Sequence, residues 1–167
     1  CLLDTGNVDV LKADKEGRTS VHYAAIYGSA SCLKVFKKCK VDLMVTDENG
    51  ATPAHHAAAG CNLECLKFLT KIEITLNRRD NSGRTSTHYG AQKGSTECLH
   101  WLLEQGADAN AMDDTGNTPA HCASPGHMPA MNCLVNHGSD MTIVNHNGDT
   151  PGMLSRKYGH TLANQKA

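Results

Sequence analysis

The sequence lacks three features that would indicate whole classes of protein. Aromatic residues make up only 4% of the 167 residues, which disfavours an aromatic-filled β core and favours short helices that approach closely. No apolar run reaches the 18 residues or so that would predict a membrane-spanning helix. Neither sign of charge dominates, since 16 basic residues are balanced by 17 acidic ones. Neither nucleic acid nor a membrane surface is therefore predicted as a partner.

Eight cysteines raise the question of disulfides and metal sites. A chain of this length without secretory features can build a core without disulfides, which favours a reducing cytoplasm or nucleus. No phosphate-binding glycine loop, nucleophile elbow or C-x-x-C pair occurs, so we predict no enzyme, no cofactor and no metal. The chain opens at Cys1 without Met, and we expect it to be a segment of a longer protein.

An internal repeat organises the chain. The motif D-x-x-G-x-T recurs every 33 residues, and an altered fifth copy arrives one residue early; the copies begin at Asp14, Asp47, Asp80, Asp113 and Asn145. This spacing is typical of a repeat architecture. It predicts one array with the end of a preceding repeat (1–13), four repeats (14–46, 47–79, 80–112 and 113–144) and a partial or capping repeat (145–167).

Each repeat is predicted to fold as a turn followed by two short helices. Glycine in the D-x-x-G segment supplies the backbone freedom that a tight turn needs. Thr52 precedes Pro53, which is typical of an N-cap followed by the first residue of a helix. In the second half of the third repeat, Cys98, Leu99 and Leu102 recur at helical spacing. The sequence therefore predicts an all-α array of helix pairs.

These motifs resemble those of the ankyrin repeat family. The segments TPAHHAA, TPAHCA and EQGADANAMD are near matches to the family's T-P-L-H-x-A and G-A-D-x-N signatures. The resemblance implies an ankyrin solenoid of stacked helix pairs with β-hairpin-like tips and a concave binding surface. It also implies that one histidine in each of the first four units hydrogen-bonds its threonine, such as Thr52, and the adjacent turn; these residues are His22, His55, His88 and His121.

A possible zinc site is explained by the repeat. Residues 52–65 contain four side chains of the types that zinc prefers: His55, His56, Cys61 and Cys65. His55 and Cys65 fill slots that neighbouring units also fill, so stacking accounts for them without a metal. We assign the cysteine ladder to the packed core, and it consists of Cys32, Cys65 and Cys98. Redox sensing stays open for three other cysteines, because it depends on exposure and thiol pKa; these are Cys39, Cys61 and Cys133.

The favoured function is a non-catalytic scaffold or adaptor module that binds another protein or peptide. We expect the partner to contact turn tips and exposed ends of first helices, at Arg18, Ile26, Tyr27, Glu48, Arg79, Asn81, Arg84, Gln92, Lys93, Asp114 and Asn117. Tyr27 is a candidate hot spot. A basic strip of Arg18, Arg79, Arg84 and Lys93 predicts an acidic or phosphorylated peptide, and a merely solvated charged face is the alternative.

Other functions and locations remain open. The array could be a structural element of a large cytoskeletal or ciliary assembly, or a regulatory domain of a channel or enzyme. Asn110 resembles the position modified by the asparaginyl hydroxylase that acts on ankyrin repeats, although it could simply hydrogen-bond in the hairpin. We expect a cytoplasmic location, with nuclear, cytoskeletal and ciliary locations as alternatives. The sequence predicts no oligomeric state.

Overall fold

A computed structural model describes residues 12–72, 77–123 and 126–164, without the side chains of 158–164. Within these ranges the only regular elements are helices, and they follow the order α1 (Ser20–Ile26), α2 (Ala30–Lys38), α3 (Pro53–Ala59), α4 (Leu63–Thr70), α5 (Ser86–Lys93), α6 (Thr96–Glu104), α7 (Pro119–Ala123), α8 (Met128–Asn136) and α9 (Pro151–Asn164). The prediction of an all-α array of helix pairs is confirmed. Most of the predicted preceding repeat, 1–13, lies outside the described residues.

The helices form two layers. The first-helix layer runs α1, α3, α5, α7 and α9, with each helix packed on the next. The second-helix layer runs α2, α4, α6 and α8 in the same way, and each member also packs on its own first helix. None of the described helices is both long and apolar enough to cross a membrane.

Each first helix begins at a threonine. Thr52 has an extended backbone (φ −87°, ψ 167°), and Pro53 follows it as the first helical residue. A reciprocal capping box closes this end, because the Thr52 side chain bonds the backbone of His55 while the His55 ring bonds the backbone of Thr52. The same arrangement starts α1 and α5. It satisfies backbone N–H groups that would otherwise lack partners at the helix start.

The turns before the first helices stack on one another. In the second repeat, Asp47 Oδ1 accepts hydrogen bonds from the backbone N–H groups of Asn49 and Ala51, both at 2.9 Å. Gly50 has φ +75°, and a Cβ there would collide with Asn81 in the next turn. The Asn81 N–H donates to the Asn49 carbonyl at 2.9 Å, which joins the two turns directly. Gly50 is therefore required both by the positive φ of its own turn and by the close approach of Asn81 in the next turn.

Small residues let the helices approach closely. Ala54, Ala57 and Ala58 of α3 are fully buried, as are Leu66 of α4 and Leu99 of α6. Because alanine fills little volume, neighbouring first helices can approach closely, while the larger leucines fill the rest of the core. This explains how a chain with so few aromatic residues builds a continuous core.

The cysteine ladder is only partly a core feature. Cys65 and Cys98 are fully buried, and the Cys65 thiol lies 3.7 Å from the carbonyl of Ala24 in the preceding repeat. The assignment of Cys32 to the core is wrong, because this side chain is exposed. Within the described residues no preceding repeat covers Cys32, whereas Ala24 and its helix cover Cys65.

One residue adopts the strained backbone that its position in the repeat predicts. Lys40 occupies the usual glycine position after a second helix and has φ +57°. A side chain in this left-handed region costs about 1 kcal/mol relative to glycine. Cys61 also has φ +57°, where the equivalent Gly28 has φ +75°. Glu73, which occupies the same repeat position as Lys40, lies outside the described residues.

Candidate functional site

A hydrogen-bonded histidine links each repeat to the next. His55 Nδ1 accepts from the Thr52 backbone N–H at 3.1 Å, and its Nε2 lies 3.2 Å from the Arg84 carbonyl in the following turn. His88 makes the same contacts, to Thr85 within its repeat and to the Asn117 carbonyl of the next repeat. Both ring nitrogens are therefore used in holding the stack together.

These contacts define the protonation state of the ring. Because Nδ1 of His55 accepts from a backbone N–H, the single proton of the neutral ring lies on Nε2, which donates to the carbonyl. Burial lowers the pKa of the equivalent histidines and brings that of His55 to about 4; the other three are His22, His88 and His121. A ring in this state has no lone pair left for a metal, so the geometry of His55 does not suit zinc.

A second contact joins each first helix to its own turn, and the fourth repeat departs from it. Tyr23 donates to Asp14 at 2.6 Å and Tyr89 donates to Asp80 at 2.8 Å. In the second repeat His56 Nε2 lies 2.9 Å from Asp47 Oδ2. The equivalent position of the fourth repeat is Cys122, whose side chain is too short for this contact. Arg84 of the third repeat approaches the turn aspartate there instead, with Nε 3.5 Å from Asp113 Oδ2.

Cys122 and Arg84 border a cavity of about 370 Å³ between α5, α7 and α9. Its described lining consists of Arg84, Gln92, Asn117, His121, Cys122, His127 and Leu154. The structure thus brings together three of the predicted partner-binding residues, Arg84, Gln92 and Asn117. We call this space the first-helix groove.

Charge in the first-helix groove comes from Arg84. Its side chain is 36% exposed, and its Nε is buried without a hydrogen-bond partner among the described residues. Burial alone would raise the pKa of Asp113, but hydrogen bonds from Thr115 and Asn117 hold that pKa below its ordinary value. Asp113 is therefore ionised at neutral pH. Its ion pair with Arg84 is nevertheless long, at 3.5 Å.

The predicted basic strip is largely neutralised within the protein. Arg18 pairs with Asp14 at 2.9 Å and with Glu16 at 2.6 Å. Arg79 pairs with Asp114 at 2.9 Å and also donates to the Met112 carbonyl. Lys93 is exposed, and no ion pair holds it in the part of the chain that the structure describes. Two cations thus remain open to a partner, Arg84 and Lys93.

The other predicted contact residues divide between exposed and structural positions. Tyr27 is 78% exposed, with its ring stacked 6.1 Å from that of Tyr23, while Ile26 is half-buried. Asn81 is exposed but donates to the backbone carbonyl of Glu48 at 3.0 Å, so it stabilises the stack of turns. Tyr27 and Asn81 do not line the first-helix groove.

Asn110 bridges two repeats. Its amide nitrogen donates to the Gly138 carbonyl at 3.1 Å, and its carbonyl oxygen accepts from the Asp140 backbone N–H at 2.7 Å. The residue 33 positions earlier, Asn77, likewise accepts from the Asp108 N–H at 3.0 Å. The side chain thus has a structural role in the folded array, and hydroxylation would require this segment to open.

The described cysteines form no disulfide and lie in contrasting environments. Burial raises the pKa of Cys98 to about 12 and that of Cys122 to about 11, and it also raises the pKa of Cys133. A redox sensor needs an accessible thiolate. The environment of Cys133 therefore does not favour that role, while Cys61 remains exposed.

Sequence reasoning missed one cluster, which lies on the second-helix layer. The ligand-type atoms of His100, Cys133 and His137 all lie within 4.8 Å of one another. The sequence could have indicated part of this cluster, because Cys133 and His137 are four residues apart at the end of one helix and so lie on the same face. Their proximity to His100 depends on the packing of α6 against α8.

Comparison with known families agrees with this architecture. The family model described as ankyrin repeats (3 copies) matches residues 21–113 and again residues 88–164. A comparison with curated proteins finds no significant match. The two matched ranges cover most of the chain and include α1 to α9 almost entirely. The chain therefore belongs to the ankyrin repeat family, whose members are generally protein–protein interaction modules.

Proposed function

We propose that this chain is a non-catalytic scaffold or adaptor module that binds a partner protein through its turns and first helices. The observation that carries the proposal is the first-helix groove, which joins side chains from the third repeat, the fourth repeat and the partial repeat that follows. Stacking does not require Arg84 and Gln92: the slot of Arg84 holds Ala51 in the second repeat, and the slot of Gln92 holds Ala59. Residues free of a structural requirement are those available to bind a partner.

The chemistry of the first-helix groove favours an acidic group on the partner. Arg84 presents a half-exposed guanidinium, and its ion pair with Asp113 is long at 3.5 Å. A carboxylate or phosphate that enters the groove can form shorter, two-pronged hydrogen bonds with a guanidinium. Gln92 adds an amide, and the adjacent Lys93 adds an exposed positive charge. An acidic or phosphorylated peptide therefore fits better than a basic or wholly apolar one.

A catalytic role for the same groove is disfavoured by its histidine and cysteine. His121 Nδ1 accepts from the Thr118 N–H at 3.0 Å, and its Nε2 lies 3.0 Å from the Asp149 carbonyl. The ring therefore has no free nitrogen to act as a base. Burial raises the pKa of Cys122 to about 11, so this thiol stays protonated at neutral pH. Neither residue is activated as a Cys–His pair would require.

We also propose a cytoplasmic location. None of the seven cysteines in the described residues forms a disulfide, which supports a reducing environment such as the cytoplasm.

A pair of matched charge reversals tests the proposal. The double variant Arg84→Glu with Lys93→Glu reverses the groove charge, and Lys34→Glu with Lys38→Glu makes the same change on α2 of the second-helix layer. Each protein is used as bait for quantitative affinity capture from cells, followed by binding measurements with the purified partner. We expect the groove variant to lose at least about tenfold in affinity, equivalent to about 1.4 kcal/mol. The control should bind as the unaltered chain does.

Circular dichroism of both variants separates lost binding from lost folding. Equal affinity of the groove variant and the unaltered chain would refute the groove as the binding site. Loss of the partner in the control alone would favour docking on the second-helix layer. That second result is the one expected if the array is built into a larger assembly through its other face.

A further inference from the structure

The second-helix layer changes character where the third repeat meets the fourth. Between the first and second repeats, Lys37 Nζ lies 5.6 Å from the ring centre of Phe68, and between the second and third, Lys67 Nζ lies 5.6 Å from that of Trp101. At the third junction, α6 presents His100 to Cys133 and His137 at the end of α8. The aromatic side chain is replaced there by a thiol and two imidazoles.

The repeat does not require these three residues. Allowing for the one residue that the fourth repeat lacks, Cys133 fills the slot of Val35, Phe68 and Trp101 rather than a slot of the cysteine ladder. His100 fills the slot of Lys67, and His137 fills that of Gln105. No two described repeats share a residue type at any of these positions except for lysine in the first two. Stacking alone therefore does not explain a thiol and two imidazoles at one junction.

Both imidazoles are held so that one nitrogen of each stays available. His137 Nδ1 lies 2.8 Å from the Cys133 backbone carbonyl, which can only accept, so Nδ1 carries the proton and Nε2 keeps its lone pair. His100 Nε2 lies 3.2 Å from Glu104 Oε1, so its proton points to the carboxylate and Nδ1 keeps its lone pair. A carbonyl or carboxylate behind the ring is the usual support of a metal-binding histidine.

The distances suit a small divalent cation. Tetrahedral zinc bonds of about 2.0–2.3 Å separate ligand atoms by roughly 3.5 Å. One ligand-type atom from each of the three residues lies within 4.8 Å of the other two, and the Cys133 sulfur lies 4.0 Å from His137 Nδ1. Rotation of the two imidazoles about their side-chain bonds turns their lone-pair nitrogens towards the sulfur and closes these distances. His100 is exposed and His137 is half-buried, which leaves room for these rotations. The ring centres of the two histidines already lie 5.1 Å apart.

An access route is present. A recess of about 530 Å³ opens on this face, and its described lining includes His100, Cys133 and His137 together with Thr96, Pro129 and Asn132. Water and ions reach the three side chains through it. Cys133 itself is 8% exposed, so its sulfur lies at the base of the recess.

We propose that His100, Cys133 and His137 form a zinc site that joins the third repeat to the fourth. The thiol of Cys133 releases its proton to solvent as the zinc–sulfur bond forms, and the two imidazoles bind as neutral ligands. Water from the recess completes the fourth position. Because α6 supplies one ligand and the α8 end supplies two, bound zinc stabilises this junction.

Cobalt(II) provides the test, since a cobalt–thiolate bond gives an absorption band that imidazole and carboxylate ligands do not. The whole chain is titrated with cobalt, and zinc is then added in competition. We expect one equivalent to bind with a thiolate band, zinc to displace it, and the thermal unfolding midpoint to rise with zinc. His100→Gln should weaken zinc binding at least about 100-fold, since it removes a direct ligand.

Two further variants make the result specific to this cluster. Cys133→Ser should abolish the cobalt–thiolate band, whereas Cys61→Ser, at an exposed thiol elsewhere, should leave it unchanged. His100 is exposed, so His100→Gln is expected to fold normally and keeps the test valid if Cys133→Ser does not fold. Absence of the band from the unaltered chain, its loss in Cys61→Ser, or unchanged zinc affinity in His100→Gln would each overturn the proposal.

Discussion

The first-helix layer repeats one contact, whereas the second-helix layer changes its contact from junction to junction. His22, His55, His88 and His121 each bond a threonine of their own repeat and a carbonyl of the next turn. On the other layer, a lysine lies over Phe68, another lies over Trp101, and a cluster of histidines and a cysteine closes the third junction. The same array thus holds its repeats together in a uniform way on one side only.

The difference separates structural from adaptable positions. A buried histidine whose two nitrogens are both bonded cannot be replaced without leaving a backbone donor and an acceptor unpaired. An exposed lysine over an aromatic ring contributes little, because water competes for it. The second-helix layer and the open ends of the first helices can therefore vary while the stack is preserved. Partner and metal recognition are expected at those variable positions.

The largest expected effect comes from breaking the uniform contact. His55→Ala leaves the Thr52 N–H and the Arg84 carbonyl without their side-chain partner and opens a cavity in a fully buried site. We expect a loss of about 3 kcal/mol in the free energy of unfolding. Urea denaturation followed by circular dichroism measures it. The control His146→Ala removes an exposed imidazole and should change stability by less than about 0.5 kcal/mol. Similar losses in the two variants would contradict the structural role of His55.

Acidification should weaken the same contact without mutation. The folded state keeps His55 neutral with a pKa of about 4, whereas an unfolded histidine takes up a proton near its ordinary pKa of about 6.5. Stability from this residue is complete above the unfolded pKa and is lost as pH falls towards the folded pKa. By pH 5, His55 alone should cost the chain about 2 kcal/mol relative to pH 8.

The pH dependence can be assigned to that residue by comparison. Unfolding free energies of the unaltered chain and of His55→Ala are measured between pH 5 and pH 8. The variant should be less stable at neutral pH but lose less on acidification, since it lacks one of the depressed imidazoles. Parallel curves for the two proteins would contradict the assignment.

The smallest expected effect concerns the second-helix layer. Lys67→Met keeps a long apolar side chain beside Trp101 but removes the charge over its ring and the ion pair with Glu64. Both contacts are at least partly exposed, so we expect a loss below about 1 kcal/mol in the free energy of unfolding. Chemical denaturation measures it beside His55→Ala. A loss as large as that of His55→Ala would remove the distinction between the two layers.

The sequence predicted what the repeat period determines. Thr52, Pro53 and His55 indicated the start of α3, and the same pattern located the other first helices. The period also predicted a core position for Cys32, which is exposed, because a repeat slot is buried only where a neighbouring repeat covers it.

Contacts between side chains in different repeats were less predictable. Arg84 approaches Asp113 in the repeat where Cys122 replaces the tyrosine or histidine of the first three repeats. The ion pair of Arg79 with Asp114 spans two turns and removes one of the four positive charges that the sequence suggested were free for a partner. Such pairings depend on rotamers and on the offset between repeats, which spacing along the chain does not specify.

The most direct test of a partner site on the turns and first helices is hydrogen–deuterium exchange with and without the partner that the chain captures. We predict slower exchange in residues 79–94 and 113–123, which contain the Arg84, Gln92 and Asn117 side of the first-helix groove. Exchange in the second helices α2 and α4 should stay unchanged. Protection confined to the second-helix layer, with residues 79–94 and 113–123 unaffected, would contradict the account.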